Sequence, residues 1–202
     1  MKKTLLLISF IIFSSFNVFA QKQKDSKSSE VIISKDFKNK LDPIKSNFNR
    51  INSIKIWTKI KEIETDDSTE GGFINYYFLN DKLEKIVVRK FGESGQYLAE
   101  YYLLNNKLSF VFEKNLRYNV PYYLKEFNYD DSEIIEDRYY YSNNKLINYK
   151  SNQDDGAPFS DIFIKSEEKR VLKELNQLLK NSSLAKKITK LKVKILWTNL
   201  MR

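Results

Sequence analysis

Residues 76–83 read Tyr-Tyr-Phe-Leu-Asn-Asp-Lys-Leu, and near-copies follow as Tyr-Tyr-Leu-Leu-Asn-Asn-Lys-Leu at 101–108 and Tyr-Tyr-Tyr-Ser-Asn-Asn-Lys-Leu at 139–146. In each octet an Asn-Asp or Asn-Asn pair interrupts two runs of aromatic and aliphatic residues. These two side chains tolerate the positive φ that a two-residue hairpin demands, at lower steric cost than other residues with a Cβ. The octet is therefore a strand end, a turn and a strand start. Neighbouring residues on a strand point to opposite faces, so one tyrosine of each pair enters the core and the other covers the outer face. The lysine after the turn stays in solvent, and the leucine behind it packs back onto the sheet.

Around the octets, β-branched and aromatic runs predict strands at 54–64, 73–80, 83–91, 96–104, 107–114, 133–142 and 145–151. The octets start 25 and then 38 residues apart, which excludes a regular solenoid and leaves a meander of unequal hairpins. Gly71-Gly72 precedes a strand and not a helix, so it is no phosphate-binding loop; it gives backbone freedom at a turn.

Helical spacing brackets the sheet. Phe37, Leu41, Ile44, Phe48 and Ile51 form one stripe, with Asp42-Pro43 either starting the helix or kinking one that begins near Asp36. After a break at Asp154–Pro158, Ser166 with Glu167 and Glu168 reads as a helix start, and Val171, Leu172, Leu175, Leu178 and Leu179 as its buried stripe. Asn181 with Ser182 or Ser183 separates this from a last helix over 184–199. The fold class expected is α+β: one antiparallel β-meander of six to eight strands, with an N-terminal helix and one or two C-terminal helices packed on one face.

The unit Tyr-Tyr-x-x-Asn-Asp/Asn-Lys-Leu resembles the hairpin of MORN-like variant repeats, in which tyrosines precede an Asn-Gly-Lys turn; none of the three turns here has that glycine. The longer run from Glu70-Gly71-Gly72 through Tyr101-Tyr102-Leu103-Leu104 and Phe110-Val111-Phe112-Glu113-Lys114 to Glu136-Asp137-Arg138 is similar to a family of short, uncharacterised secreted bacterial proteins. The resemblance implies a β-meander and carries no activity with it.

Lys2 and Lys3, the apolar run Leu5–Phe13 and Val18-Phe19-Ala20 have the pattern of a secretory leader, with cleavage expected near Ala20 and a secreted or periplasmic location. Polar residues 21–34 read as a flexible linker, 35–181 as a single α+β domain, and 182–202 as a basic amphipathic helix. The chain has no cysteine, which excludes a thiol-linked lipid anchor and leaves a domain of about 150 residues to be held by its core alone.

The high pI comes from the ends. Of 35 basic residues two lie in the leader and six beyond Ser182, leaving 27 against 26 acids in residues 21–181. A net charge of +1 with interspersed signs is an ordinary solvated surface and not a phosphate-tracking groove, so no nucleic-acid partner is expected.

Chemistry is bounded by the absence of histidine and cysteine, which removes Ser-His-Asp and Cys-His catalysis and ordinary zinc, copper and haem ligation. No cofactor is expected. The acidic doublets Asp66-Asp67, Asp130-Asp131 and Asp154-Asp155 fall in loops without calcium-loop spacing, so no metal site is assigned. Glu93, Glu100 and Glu113 are the candidate acids should two carboxylates converge as in a glycosidase. The tyrosine surface, Tyr76, Tyr77, Tyr101, Tyr102, Tyr139 and Tyr140, is the candidate partner site, each ring offering a flat apolar face with a hydroxyl; cross-strand pairing that merely stabilises the sheet is the alternative role. Lys186, Lys187, Lys190, Lys194 and Trp197 are candidate membrane contacts. The function expected is an exported, non-catalytic binding or structural module of the bacterial cell envelope, meeting an envelope protein or glycan. The alternatives are a carboxylate-dependent glycan hydrolase and a peripheral membrane protein held by its C-terminal helix.

Overall fold

The computed structural model describes residues 35–200, with side chains over 36–182. The expected leader and linker, residues 1–34, lie outside the described residues. In chain order the elements are α1 (Lys35–Asn52), β1 (Lys59–Thr65), β2 (Gly72–Leu79), β3 (Lys82–Gly92), β4 (Gly95–Leu104), β5 (Lys107–Arg117), β6 (Glu133–Ser142), β7 (Lys145–Ser151) and α2 (Asp161–Leu200). The strands are antiparallel and pair in sequence order, giving one seven-stranded meander in an α+β fold. The first strand starts at Lys59, five residues later than the sequence pattern suggests.

The octets form the three hairpins β2–β3, β4–β5 and β6–β7. Asn80 and Asp81, Asn105 and Asn106, and Asn143 and Asn144 all have φ between 48° and 62°, the left-handed pair that matches strand twist across a two-residue turn. At the β1–β2 loop, Gly71 has φ +69° and Gly72 lies where a Cβ would come within 2.3 Å of the Arg89 carbonyl oxygen. Only glycine fits that approach.

Each octet also carries a β-bulge at the same place. The register slips between Tyr77 and Phe78, between Tyr102 and Leu103, and between Tyr140 and Tyr141, which leaves Glu84, Ser109 and Ile147 as the extra residues on the returning strands. A bulge puts two consecutive residues on one side. Leu108 and Val111 therefore face one layer while Ser109 and Phe110 face the other.

Both faces of the sheet are covered. On the first, Ile74, Tyr76, Ile86, Ala99, Tyr101, Val111, Tyr139 and Tyr141 pack under Val171, Leu175 and Leu178 of α2. On the second, Tyr102 and Phe110 pack under Ile44, Phe48 and Ile51 of α1. Burial of Ile44 and Ile51 contributes about 1.5–3 kcal/mol each, enough to offset Pro43 inside the helix, whose missing N–H leaves the Asn39 carbonyl without its usual donor. The expectation that all helices share one face is thus corrected. Period-two strands whose residues are apolar on both sides need cover on both sides, and the two clusters separate at adjacent residues, Tyr101 and Tyr102.

α2 starts earlier than expected and does not break. Ser160, not Ser166, caps it: the Phe163 N–H donates to Ser160 Oγ at 3.2 Å. The helix then runs through Asn181, Ser182 and Ser183, where a separation is expected from sequence, as one element to Leu200. Along the way it crosses the whole sheet. Glu168 accepts from the Leu146 N–H on β7 at 2.7 Å, Arg170 reaches Tyr139 on β6 and Glu113 on β5, and Glu174 accepts from Tyr101 on β4. The Leu178 carbonyl accepts from Tyr76 on β2, and the Ser182 carbonyl from Lys61 on β1, at 2.8 and 3.1 Å.

Candidate functional site

The polar centre of the molecule lies between α2 and the first face. Glu167, Arg170 and Glu174 stand at i, i+3 and i+7, which brings them to one flank of the helix. Glu113 lies two residues beyond Val111 on β5, on the same inward side. Arg170 makes a two-pronged contact with Glu113, Nη1 to Oε1 at 3.1 Å and Nη2 to Oε2 at 2.9 Å. It also donates to Glu167 Oε2 at 2.8 Å and to both oxygens of Glu174 at 3.1 Å. Tyr139 Oη donates to Glu167 Oε2 at 2.9 Å, and Tyr101 Oη to Glu174 Oε2 at 3.0 Å. One cation thus serves three carboxylates.

Burial pushes the Glu113 carboxyl above its ordinary value, opposed by the Arg170 guanidinium and reinforced by Glu174. Burial acts on Arg170 in the opposite sense and is outweighed by its bonds to Glu167 and Glu113, so the guanidinium is held charged. The phenols of Tyr97, Tyr101 and Tyr139 are all raised, first by burial and then by the neighbouring carboxylates in each case and, for Tyr101, by Tyr97. Tyr76, which faces no carboxylate, is raised by burial alone to about 12.

A cleft of about 480 Å³ opens beside this cluster, lined by Tyr97, Tyr101, Glu113, Arg170, Glu174 and Gln177 among others. Glu113 and Glu174 are both held by the same guanidinium, that of Arg170. The three acids singled out from sequence do not converge. Glu113 faces α2, Glu100 lies on the opposite side of the sheet with Lys85 at 2.9 Å and Tyr102 at 2.6 Å, and Glu93 is exposed in the β3–β4 turn.

The second face has its own polar inset, built on the bulges. Asn47, buried on the apolar stripe of α1, donates to the Leu103 carbonyl at 3.0 Å and to Ser109 Oγ at 3.3 Å. Arg50 donates to Asn47 Oδ1 at 2.8 Å and ion-pairs with the buried Glu84. Two bulge residues thus become the anchors of α1. Beside the helix a groove of about 290 Å³ is lined by Ile44, Lys45, Phe48, Asn49, Phe110, Arg138 and Tyr140.

The six tyrosines proposed as a partner surface do not form one. Tyr76, Tyr101 and Tyr139 are buried under α2 and Tyr102 under α1. Tyr77 and Tyr140 are half-buried, packed on Trp57 and Phe110 with ring centres 5.2 and 5.1 Å apart. Among the described residues, exposed aromatic side chains gather instead on residues 118–132, between β5 and β6, where Tyr122, Tyr123 and Tyr129, with Leu124, are open to solvent. That segment is held firmly. Tyr118 and Tyr122 donate backbone N–H groups to Ser94 and Glu93, Tyr118 packs on Phe127, and Asn119 and Asn128 bridge the loop.

The acidic doublets behave as turn residues. Asp154 and Asp155 accept from the N–H groups of Gly156 and Ala157, Asp131 accepts from Asn128, and Asp67 lies 3.7 Å from Lys90. Among the described residues no group of three or more acids is placed to hold a metal ion. The side chains of Lys186, Lys187, Lys190, Lys194 and Trp197 lie outside the described residues. Sequence reasoning missed Asn47, Arg50 and Arg170, although a polar residue within the apolar stripe of α1, Asn47, and opposite charges three and four apart around Arg170 were visible signals. No family model, curated protein or solved structure matches this chain.

Proposed function

We propose that the chain is an exported, non-catalytic binding or structural module of the bacterial cell envelope. The observation that carries this reading is the commitment of the interior polar groups to clamping helices onto the sheet, while a firmly held loop turns Tyr122, Tyr123, Leu124 and Tyr129 outward. Rigid exposed tyrosines with little conformational entropy to lose suit recognition of a protein or glycan surface. The leader pattern supplies the compartment. The hydrolase alternative has less support, since its acids are divided between the two faces or tied to Arg170.

Crosslinking and pull-down of the tagged chain from Gln21 onward, in its native envelope, tests the reading. A partner captured by the wild type and lost in a Tyr122→Ser/Tyr123→Ser/Tyr129→Ser variant of unchanged thermal stability is the expected result. Glycan hydrolysis abolished by Glu113→Gln would overturn it.

A further inference from the structure

The contacts of α2 with the strands follow a progression. Glu168 meets β7, Arg170 meets β6 and β5, Glu174 meets β4, Leu178 meets β2 and Ser182 meets β1, the edge of the sheet. The helix continues to Leu200. At 1.5 Å per residue, the stretch 183–200 carries it about 27 Å past the last strand. Among the described residues, no strand lies beyond β1 for the stretch 183–200 to bury a face against.

The sequence of this overhang nevertheless has an apolar face. Leu184, Ile188, Leu191 and Ile195 recur at helical spacing, while Lys186, Lys187, Lys190 and Lys194 fall on another arc. At 100° per residue, the apolar stripe sits about 140° around the axis from the one that Val171, Leu175 and Leu178 turn to the sheet. The overhang therefore does not extend the sheet-facing stripe; it begins a new one.

Charge selects the occupant. Residues 182–202 carry five lysines and Arg202 with no acid, against a net +1 on residues 21–181. A basic arc beside an apolar stripe is the pattern of a helix lying in the plane of an anionic bilayer, stem carbons and apolar side chains in the acyl boundary and ammonium groups at the phosphates. Among the described residues no helix is long and apolar enough to cross a membrane.

We propose that residues 183–200 of α2 are a membrane-surface helix that holds the folded body against an anionic lipid leaflet. The proposal goes beyond the partner-binding reading and is tested with purified chain, so the outcome of envelope crosslinking does not bear on it. The chain from Gln21 onward is sedimented with vesicles of phosphatidylcholine alone and of an equimolar mixture with phosphatidylglycerol. Binding is expected only to the mixed vesicles, weakening as salt is raised. Each Lys→Gln change among the four lysines is expected to weaken partitioning about fivefold. Leu184→Ser/Leu191→Ser is expected to abolish it at unchanged charge, and truncation after Ser182 to do the same, with thermal unfolding confirming that the body remains folded. Equal binding by the truncated chain, or loss of lipid binding in favour of a concentration-dependent dimer by light scattering, would overturn the proposal.

Discussion

The two faces of the sheet are closed by different means, although the same Tyr-Tyr pair supplies both. On the α2 side the helix reads the sheet through hydroxyls. Tyr76, Tyr101, Tyr139 and Tyr141 each donate to a backbone carbonyl or a glutamate of α2, so the ring fills the core and its tip fixes where the helix lies. On the α1 side the bulges do the fixing. Ser109 and Glu84, displaced out of register, meet Asn47 and Arg50, and the rings of Phe48, Tyr102 and Phe110 pack at centre distances of 5.0 to 5.7 Å. One face is aligned by what the strands carry at their tips, the other by a fault in their pairing.

The sharpest way to break this comparison is to truncate neighbours on one strand. Tyr101→Ala and Tyr102→Ala each remove a fully buried ring, one from each layer, and each is expected to cost about 3–5 kcal/mol in urea unfolding. A loss below about 1 kcal/mol for Tyr102→Ala would mean that α1 is cover and not core.

Next in size is the cation of each face. Arg170→Met leaves Glu113, Glu167 and Glu174 facing one another and is expected to cost about 3 kcal/mol at neutral pH, with the deficit narrowing on acidification. Arg50→Met leaves Glu84 with Lys82 still 3.5 Å away and is expected to cost about 1 kcal/mol. Reversal of that order would show that the bulge-held anchor outweighs the clamp.

The turns should discriminate less, since they serve both layers at once. Asp81→Gly relieves a positive φ in the favoured way and is expected to raise stability by about 0.5 kcal/mol, while Asn105→Ala is expected to lower it by about 1 kcal/mol. Denaturant midpoints measure both.

The smallest effect sharpens the comparison through pH. Burial raises the folded-state value of Glu113 above the ordinary 4.5, so in that window the folded chain keeps a proton that the unfolded chain releases. That contribution is fully present below about 4.5 and is lost as pH rises through the folded value. Unfolding midpoints of Glu113→Gln across this range are expected to lack the decline, with a change at neutral pH of under about 1 kcal/mol. An unchanged slope would exclude Glu113 as its source.

Hairpins were the most legible feature, because the conformational cost of positive φ selects asparagine and aspartate locally and needs no knowledge of the rest of the fold. The helix stripes were legible for the same reason, down to Ile44, Ile51, Val171 and Leu175. What escaped was relational. The side on which α1 lies depends on strand parity after a bulge, and a bulge at Ser109 leaves no mark beyond a small polar residue between Leu108 and Phe110. Serine at 182 and 183 lowers helix propensity only slightly, so a break there was a weak inference against a helix already docked on five strands. The tyrosines misled because their number suggested surplus. The four buried ones among the six are absorbed because each of the two layers takes its own share, whereas the exposed set at 122, 123 and 129 sits in a segment with no periodicity to draw attention.

Strands that pair strictly in chain order make almost every sheet contact local, and such a ribbon could lose its hairpins one at a time, as a repeat array frays from its ends. The bond from Lys61 to the Ser182 carbonyl spans 121 positions, and α2 alone carries the last strand's end of the chain back to the first. Docking of this helix therefore adds contacts of long sequence separation across the strand order, which favours unfolding of the sheet as one unit.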